Sequence, residues 1–128
     1  MLMTNITDCE LLVFHVILNA DQEITLVEIM SALEEKYHNG WERSTVCTFV
    51  GHLVQKGYVQ SRRQGRKFYY SPIVDKDYFK AEQLTNFSKI FFDGDLDRMI
   101  CAAFKAKGAS PKAVKEVENI LKNLSMIR

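Results

Sequence analysis

The 128-residue sequence contains no run of eighteen apolar residues, and its first ten residues carry neither a basic segment nor a signal-peptide core. Its three cysteines, Cys9, Cys47 and Cys101, include no Cys-x-x-Cys pair, so neither a disulfide framework nor a zinc site is expected. No segment is of low complexity or rich in proline and serine, as a disordered chain would be. We therefore expect a folded cytoplasmic protein that inserts into no membrane and holds no metal or other cofactor.

Motifs that carry enzymatic chemistry are also missing. No Gly-x-Ser-x-Gly, His-Glu-x-x-His, phosphate-binding loop or dinucleotide-binding fingerprint occurs. His15 and His38 have no second ligand at metal spacing, so we expect them to face solvent or to cap a helix. The chain is not predicted to be an enzyme.

The net charge of +1 conceals a strong segregation of charge along the chain. Residues 1–40 contain one Lys or Arg against seven Asp or Glu, residues 41–72 contain six against one, and residues 73–128 contain ten against eight. A basic segment within a nearly neutral chain is typical of a local contact with nucleic acid. The middle of the chain is therefore the candidate binding region.

The middle segment begins with a predicted helix. Its apolar residues recur at i, i+3, i+4 and i+7 and form one core-facing stripe: Val46, Phe49, Val50 and Leu53. The opposite face is small, polar and nearly uncharged, which suits close approach to base edges in the major groove. The candidate DNA-binding residues on that face and its margins are Arg43, Ser44, Thr45, Cys47, Thr48 and His52. An ordinary exposed helix would also explain this face taken alone, because Ser and Thr are common surface residues.

A basic β-hairpin is predicted after this helix. Two β-prone runs, residues 58–63 and 67–71, flank Gln64-Gly65, and Pro72 would end the second strand. The tip carries four cations and no acid, which favours a phosphate backbone as partner. These candidate DNA-binding residues are Arg62, Arg63, Arg66 and Lys67. A polar-faced helix followed by a basic hairpin is the winged-helix arrangement, in which the helix enters the groove and the wing holds the backbone.

The segment before this helix is predicted to be its scaffold. Thr7-x-x-Glu10 and Thr25-x-x-Glu28 are capping boxes that should begin two helices. Ile24 is expected to pair with the hairpin as a short strand, and Asn39-Gly40 is expected to end the second helix. Residues 1–73 are thus predicted to form a mainly α winged helix-turn-helix domain with a small β-hairpin.

Residues 74–128 are predicted to form three further helices with apolar faces, beginning near Asp75, Asp95 and Ser110-Pro111. Three such helices cannot bury all this surface alone, so we expect a helical dimerisation domain that relates two recognition helices by a two-fold axis. The candidate dimerisation residues are Phe91, Leu96, Met99, Ile100, Phe104, Val114, Val117, Leu121 and Leu124, with Ile120 and Ile127 widening the last stripe. The alternative is a monomer in which these helices pack against the winged helix.

The sequence resembles the penicillinase and methicillin-resistance repressors of the BlaI/MecI type, to which the copper-response repressor CopY is related. The resemblance covers nearly the whole chain and rests on ITDCELLVFHVI, Trp41, STVCTFVGHLVQKGYV, GRKFYYSP and FFDGDLDRMI. It implies a homodimeric repressor of antibiotic-resistance genes that binds double-stranded operator DNA at inverted repeats with TACA/TGTA-like half-sites. By this resemblance Ser44, Thr45 and Thr48 approach bases, and Arg66 belongs to the wing.

The sequence departs from the family pattern in three places. Glu42-Arg43-Ser44 stands where members often carry Ser/Thr-Pro-Lys. In antibiotic-responsive members an upstream membrane sensor-protease leads to cleavage at an Asn-Phe bond, and Ala102-Ala103 aligns there, so we do not expect that release mechanism. The paired-cysteine motif of copper-responsive members is missing from the C-terminal segment NILKNLSMIR, so copper sensing is not expected.

Two alternatives remain open beside the repressor hypothesis. A winged-helix interaction module would hold a protein with the same surface, without sequence-specific DNA binding. Binding to DNA would weaken steeply with salt because each phosphate contact releases counterions, whereas a mostly apolar protein contact would not. Cys47 would serve as a redox switch only if its thiol pKa were low, and His52 lies about one turn away.

Overall fold

The computed structural model describes residues 5–126. Ile127, which we predicted to widen the last apolar stripe, lies outside the described residues. The elements are α1 (Asp8–Asn19), β1 (Ile24–Thr25), α2 (Leu26–Tyr37), α3 (Arg43–Gln55), β2 (Val59–Gln64), β3 (Lys67–Pro72), α4 (Lys76–Phe91), α5 (Leu96–Lys107) and α6 (Pro111–Met126). The chain divides into two compact units, one ending at Leu84 and the other beginning at Thr85, so that α4 contributes to both.

Both predicted capping boxes are confirmed. The Thr7 hydroxyl accepts a hydrogen bond from the Glu10 backbone N–H at 3.3 Å, and the Glu10 carboxylate accepts one from the Thr7 backbone N–H at 3.0 Å. Thr25 and Glu28 form the same reciprocal pair at the start of α2. Each box satisfies backbone donors that the first turn of a helix leaves without partners, which explains why α1 and α2 begin where they do.

Left-handed backbone conformations mark two of the helix ends. α2 ends at Tyr37 because His38 adopts φ +50°, so His38 is the C-cap residue. This agrees with the prediction that His38 is exposed or caps a helix, and it ends α2 just before the predicted Asn39-Gly40. After α3, Gly57 has φ +87°, a conformation that glycine adopts without steric cost. The chain can therefore turn at once from α3 into β2.

The three strands form one antiparallel sheet in the order β1-β3-β2. The predicted pairing of Ile24 is confirmed, since Ile24 lies opposite Tyr70. The hairpin register places Gln64 opposite Lys67, so Gly65 and Arg66 form a two-residue turn. Gly65 has φ +65°, which favours glycine at the first central position of such a turn. Helices α1 to α3, the sheet and this wing confirm the predicted winged helix-turn-helix fold.

The core of the first unit lies between α1, α2 and α3 and is closed by β2 and the start of α4. Phe14 is fully buried, and its ring contacts Phe79 edge-on at 4.9 Å and Tyr58 at 5.6 Å between centroids. The other fully buried large residues are Val13, Ile17, Ile29, Leu33, Val46, Val50, Leu53 and Val59. Because α3 contributes three of them, its inner face is fixed against the core. The opposite face of the helix is therefore directed outward.

The second unit contains the end of α4 together with α5 and α6. Ser110 accepts a hydrogen bond from the Ala113 backbone N–H at 3.2 Å, so the predicted N-cap of α6 is confirmed. Met99 is buried, whereas large apolar side chains on all three helices remain exposed: Phe87, Phe91, Leu96, Ile120, Leu121 and Leu124. Every helix of this unit thus leaves large apolar side chains open.

We predict that Phe14→Ala lowers the free energy of unfolding of the first unit by about 3–5 kcal/mol, because it leaves a cavity where three rings meet. Urea unfolding followed by the fluorescence of Trp41, the single tryptophan, measures this change. Val27→Ala is the control, since Val27 is 61% exposed, and it should change stability by less than about 0.5 kcal/mol. Equal losses in the two variants would contradict the assigned core.

Candidate nucleic-acid interface

The outer face of α3 begins with its first turn. Glu42 is the N-cap residue, but its side chain makes no capping hydrogen bond. The Trp41 and Phe49 rings lie 5.1 Å apart between centroids and anchor the start of the helix. Arg43 and Ser44 are exposed immediately beyond this anchor. The first turn of α3 is therefore held from its inner side, while its polar side chains face outward.

Four of the six DNA-binding residues predicted on α3 lie on the outer face of its N-terminal half. Arg43, Ser44, Cys47 and Thr48 are exposed, and Thr45 is half-buried at the margin. The Thr48 hydroxyl donates to the Ser44 carbonyl oxygen at 2.9 Å, which orients the hydroxyl and leaves its oxygen free to accept. The N-terminal half of α3 thus presents short polar groups and one guanidinium.

A concavity of about 760 Å³ lies between the start of α2, α3 and β3. Four predicted DNA-binding residues line it: Arg43 and Cys47 from α3, and Arg66 and Lys67 from the wing. Tyr70 forms part of its wall, and burial raises the pKa of the Tyr70 phenol. The sheet therefore brings α3 and the wing together around one basic hollow.

Arg62 differs from the other wing cations because it is already paired. Its Nε donates to both carboxylate oxygens of Glu23 at 3.1 and 3.0 Å, and its terminal nitrogen donates to the same group at 2.9 Å. The guanidinium also lies 4.8 Å from the centroid of the Tyr69 ring. Hydrogen bonding by Arg62 lowers the pKa of Glu23, and Glu23 raises that of Arg62. Arg62 is held against the body of the domain.

The remaining wing cations make no ion pair within residues 5–126. Glu28 lines the same concavity, and its pKa is lowered by hydrogen bonds with Thr25 and then by the charge of Lys67. Arg63 donates from Nε to the Gly65 carbonyl oxygen at 3.0 Å, and its guanidinium lies 5.7 Å from the centroid of the Phe68 ring. Arg66 and Lys67 are exposed and make no ion pair with any described residue. The positive charge of the wing is therefore concentrated at its tip and toward the concavity.

His52 is placed differently from the other predicted residues of α3. Its Nδ1 lies 3.0 Å from Oε2 of Glu10, and the Lys56 ammonium donates to Oε1 of the same carboxylate at 2.7 Å. Lys56 also donates to the Asn5 carbonyl oxygen at 2.8 Å. His52 is half-exposed, and its contact with Glu10 directs its ring toward α1.

The Glu10 carboxylate is buried, with about 3% of its side chain exposed. Burial by itself raises the Glu10 pKa, but hydrogen bonds from Lys56, from the Thr7 backbone and from His52, with the charge of Lys56, bring the pKa below its ordinary value. A buried carboxylate requires such compensation. Glu10 is thus ionised in the fold and joins the start of α1 to the end of α3.

Sequence reasoning missed the roles of Glu10 and Glu23 as partners of basic residues. Glu10 was predicted only as part of a capping box, and no partner was predicted for Glu23. Their partners lie 39 to 46 residues further along the chain, beyond the reach of any local pattern. The acidic balance of residues 1–40 beside the basic middle was the one available signal.

The remaining features considered in the sequence are the cysteines, a metal site and a membrane-spanning helix. Cys9, Cys47 and Cys101 are exposed free thiols. Within the described residues, no group of three or more His, Cys, Asp or Glu side chains could hold a metal ion. Between residues 5 and 126, no helix is long and apolar enough to cross a membrane.

The predicted dimerisation residues fall into three groups in the second unit. Met99 is buried within its own chain. Half-buried positions are Ile100, Phe104, Val114 and Val117. Exposed positions, each at least half accessible, are Phe91, Leu96, Leu121 and Leu124. The last group leaves its apolar side chains open to solvent.

This fold and site define a winged helix-turn-helix protein, with a polar-faced third helix and a basic wing around one concavity. The chain belongs to the penicillinase repressor family, whose model matches residues 6–123. Members of this family are transcriptional repressors and not enzymes, so the prediction of a non-enzymatic regulator is confirmed.

Individual relatives support the same assignment. The chain is 27% identical over 116 residues to the penicillinase repressor of Bacillus licheniformis, covering 91% of this chain and 88% of that protein. It is 22% identical over 88 residues to the methicillin resistance regulatory protein MecI of Mammaliicoccus sciuri, covering 69% and 72%. The solution structure of the DNA binding domain of the repressor BlaI is similar at 32% identity and a TM-score of 0.50, covering 58% of this chain and 88% of that domain.

We predict that Glu10→Gln lowers the free energy of unfolding at neutral pH by about 1–3 kcal/mol, because it removes a buried charge that accepts hydrogen bonds from Lys56 and His52. Since the folded pKa of Glu10 is depressed, this contribution is present above the unfolded pKa. It is lost as pH falls through the folded pKa. The difference between the native chain and the variant should therefore shrink on acidification.

Urea unfolding at a series of pH values measures this difference. Glu35→Gln is the matched control, because Glu35 is exposed on α2 and makes no ion pair with a described residue. A loss of the same size in both variants, or a loss in Glu10→Gln that does not vary with pH, would argue against a structural role for the ionised Glu10.

Proposed function

We propose that this chain is a homodimeric transcriptional repressor that binds an inverted-repeat operator with TACA/TGTA-like half-sites and controls antibiotic-resistance genes. The observation that carries the proposal is the basic concavity, where Arg43, Arg66 and Lys67 face one hollow beside the polar face of α3. Membership of the penicillinase repressor family and the likeness to the DNA binding domain of BlaI support it.

Base recognition is assigned to the N-terminal half of α3. Ser44, Thr45 and Thr48 carry short hydroxyl groups that hydrogen-bond either donors or acceptors at close approach, and Cys47 adds a small side chain. Because the hydroxyl proton of Thr48 is already donated to Ser44, Thr48 would act on DNA chiefly as an acceptor. Arg43 stands at the rim and can reach either a base edge or a phosphate.

Backbone contact is assigned to the wing. Arg63, Arg66 and Lys67 make no ion pair with a described residue, so their charge is available to phosphates. Arg62 would contribute less to DNA binding because it is already held by Glu23. His52 would also contribute less, because it faces Glu10. The proposal therefore ranks the predicted DNA-binding residues by the partners that each one already has.

Assembly is assigned to the predicted domain of residues 74–128. The exposed residues Phe91, Leu96, Leu121 and Leu124 would form the centre of the dimer contact, with the half-buried Ile100, Phe104, Val114 and Val117 beside them. Met99 would support the contact from within its own chain. We do not propose release through cleavage in α5 by an upstream sensor-protease, because Ala102-Ala103 replaces the Asn-Phe pair.

The function is tested by fluorescence anisotropy with a labelled duplex carrying two TACA/TGTA half-sites about one helical turn apart, beside a scrambled duplex, at several salt concentrations. We expect much tighter binding to the inverted repeat, with two chains per duplex. Equal and weak binding to both duplexes would remove the repressor proposal. The interaction module that holds a protein on the same concavity would then become the leading explanation.

Replacing single wing cations gives a sharper prediction. Arg66→Ala should weaken binding to both duplexes and reduce the slope of log affinity against log salt by about 1, because one phosphate contact is lost. Arg62→Ala is the matched control in the same hairpin and should change the slope less, since Arg62 is engaged by Glu23. Equal changes in slope would show that the Glu23 pair does not withhold Arg62 from DNA.

The dimer is tested by Leu124→Asp, analysed by sedimentation equilibrium. We expect the dissociation constant of the dimer to rise by about a hundredfold or more, because a carboxylate would be buried without a partner. Ile73→Asp is the control, since Ile73 is similarly exposed but belongs to the first unit. If Leu124→Asp leaves the association unchanged, or the unmodified chain is a monomer, the proposed contact is wrong.

A further inference from the structure

A second cavity, of about 430 Å³, lies within the first unit between α1, α2 and the start of α4. None of the residues assigned above to DNA or to the dimer lines it. Its apolar lining comes from Leu11, Leu12, Leu18, Tyr37 and Phe79. Leu18 and Phe79 are buried, while the others are half-buried and accessible from the opening. The size is within the usual range of small-molecule sites, roughly 300–1,000 Å³.

The remaining lining residues are basic: His15, Lys36 and Lys80. The Lys36 ammonium lies 2.8 Å from Nε2 of His15. Because an ammonium can only donate, Nε2 accepts in this contact, and the imidazole that partners Lys36 is neutral. Lys36 therefore uses a neutral ring as its hydrogen-bond partner, although a carboxylate would bind it more strongly.

The charges that lower the His15 pKa are all positive. Lys36 belongs to α2, and Lys76 and Lys80 belong to α4, while the neighbour on α1 is the neutral Asn19. Burial, and then Lys36, Lys80 and Lys76, lower the pKa of His15. Among residues 5–126, no acid forms an ion pair with these three lysines. The cavity thus combines an apolar floor with a rim of uncompensated positive charge.

We propose that this cavity binds a small organic carboxylate, whose apolar body covers the leucines of α1 and Phe79 and whose carboxylate is held by Lys36 and Lys80. Charge complementarity selects an anion over a neutral or cationic ligand, and the apolar lining selects a body of several carbons over acetate or phosphate. The site does not depend on DNA binding or on dimerisation, so it can be tested independently of the proposed function.

Binding of such an anion has a defined consequence for His15. The carboxylate would replace the ring as the partner of Lys36 and would favour the imidazolium over the neutral form. The His15 pKa, which is depressed without ligand, would rise on binding. Proton uptake would then accompany binding, and the affinity would increase as pH falls through the pKa of the bound form toward that of the free form.

The test uses the full chain and isothermal titration calorimetry with sodium octanoate below its micelle concentration, beside 1-octanol and sodium acetate. We expect saturable binding of one octanoate per chain, with octanol and acetate much weaker. Lys36→Gln and Lys80→Gln should each weaken octanoate binding by about two- to fivefold, as expected for exposed ion pairs. Lys89→Gln, an exposed lysine later in α4, is the matched control and should leave binding unchanged.

A second readout follows His15 directly. The pH titration of the His15 ring signals by NMR, with His15→Gln used for assignment, should show a higher pKa when octanoate is present. No binding of octanoate, equal binding of octanol, or unchanged binding in the Lys36→Gln/Lys80→Gln double variant would overturn the proposal. The last outcome would place the ligand on the exposed apolar surface of the second unit. Unfolding curves of each variant establish that the fold is retained.

Discussion

The buried carboxylate of Glu10 is the interaction on which the arrangement of the first unit depends. One side chain closes the first turn of α1, accepts from the last turn of α3 through His52, and binds Lys56 just beyond it. A carboxylate without these partners would be costly to bury. The two helices therefore cannot rotate or slide independently without leaving a charge unsatisfied. Since the inner face of α3 is fixed in this way, the direction of its polar face is fixed as well.

The same pairing of early acids with later bases decides which cations remain available. Considered by sequence alone, the basic middle segment offers six equivalent positive charges. In the fold, Glu10 engages Lys56 and Glu23 engages Arg62. What remains is Arg43 on α3 with three cations near the wing tip. The charge presented beside the concavity is thus smaller than the sequence suggests, but it is concentrated where α3 and the wing meet, and focused charge is what directs an anionic partner.

The features of the fold and the site that could be predicted from the sequence are those that depend on residues close together in the chain. Capping boxes, the apolar stripe of α3 and the glycine of the hairpin act within a few residues, so the helix starts, the wing and even the pairing of Ile24 were predicted correctly. The ion pairs of Glu10 and Glu23 join residues 39 to 46 positions apart, and no periodicity signals them. For the same reason His52 was predicted on the polar face, although it lies near the boundary and turns toward α1. The basic cavity beside His15 needs three helices to assemble before it exists.

The two units differ in how completely each buries its apolar side chains within one chain, and that difference bears on mechanism. The first unit buries a continuous core and fixes its interface geometry within one chain. The second leaves large apolar side chains open on all three of its helices, which single folded domains rarely do without a partner. If two second units cover each other as proposed, two α3 helices become linked, and the second half-site is bound at a high effective concentration. A single wing with three free cations would hold DNA weakly at physiological salt. Specific repression would then require the dimer. Any signal that separates the two second units would therefore release the operator, even though the residues of α3 and the wing that contact DNA stay unchanged.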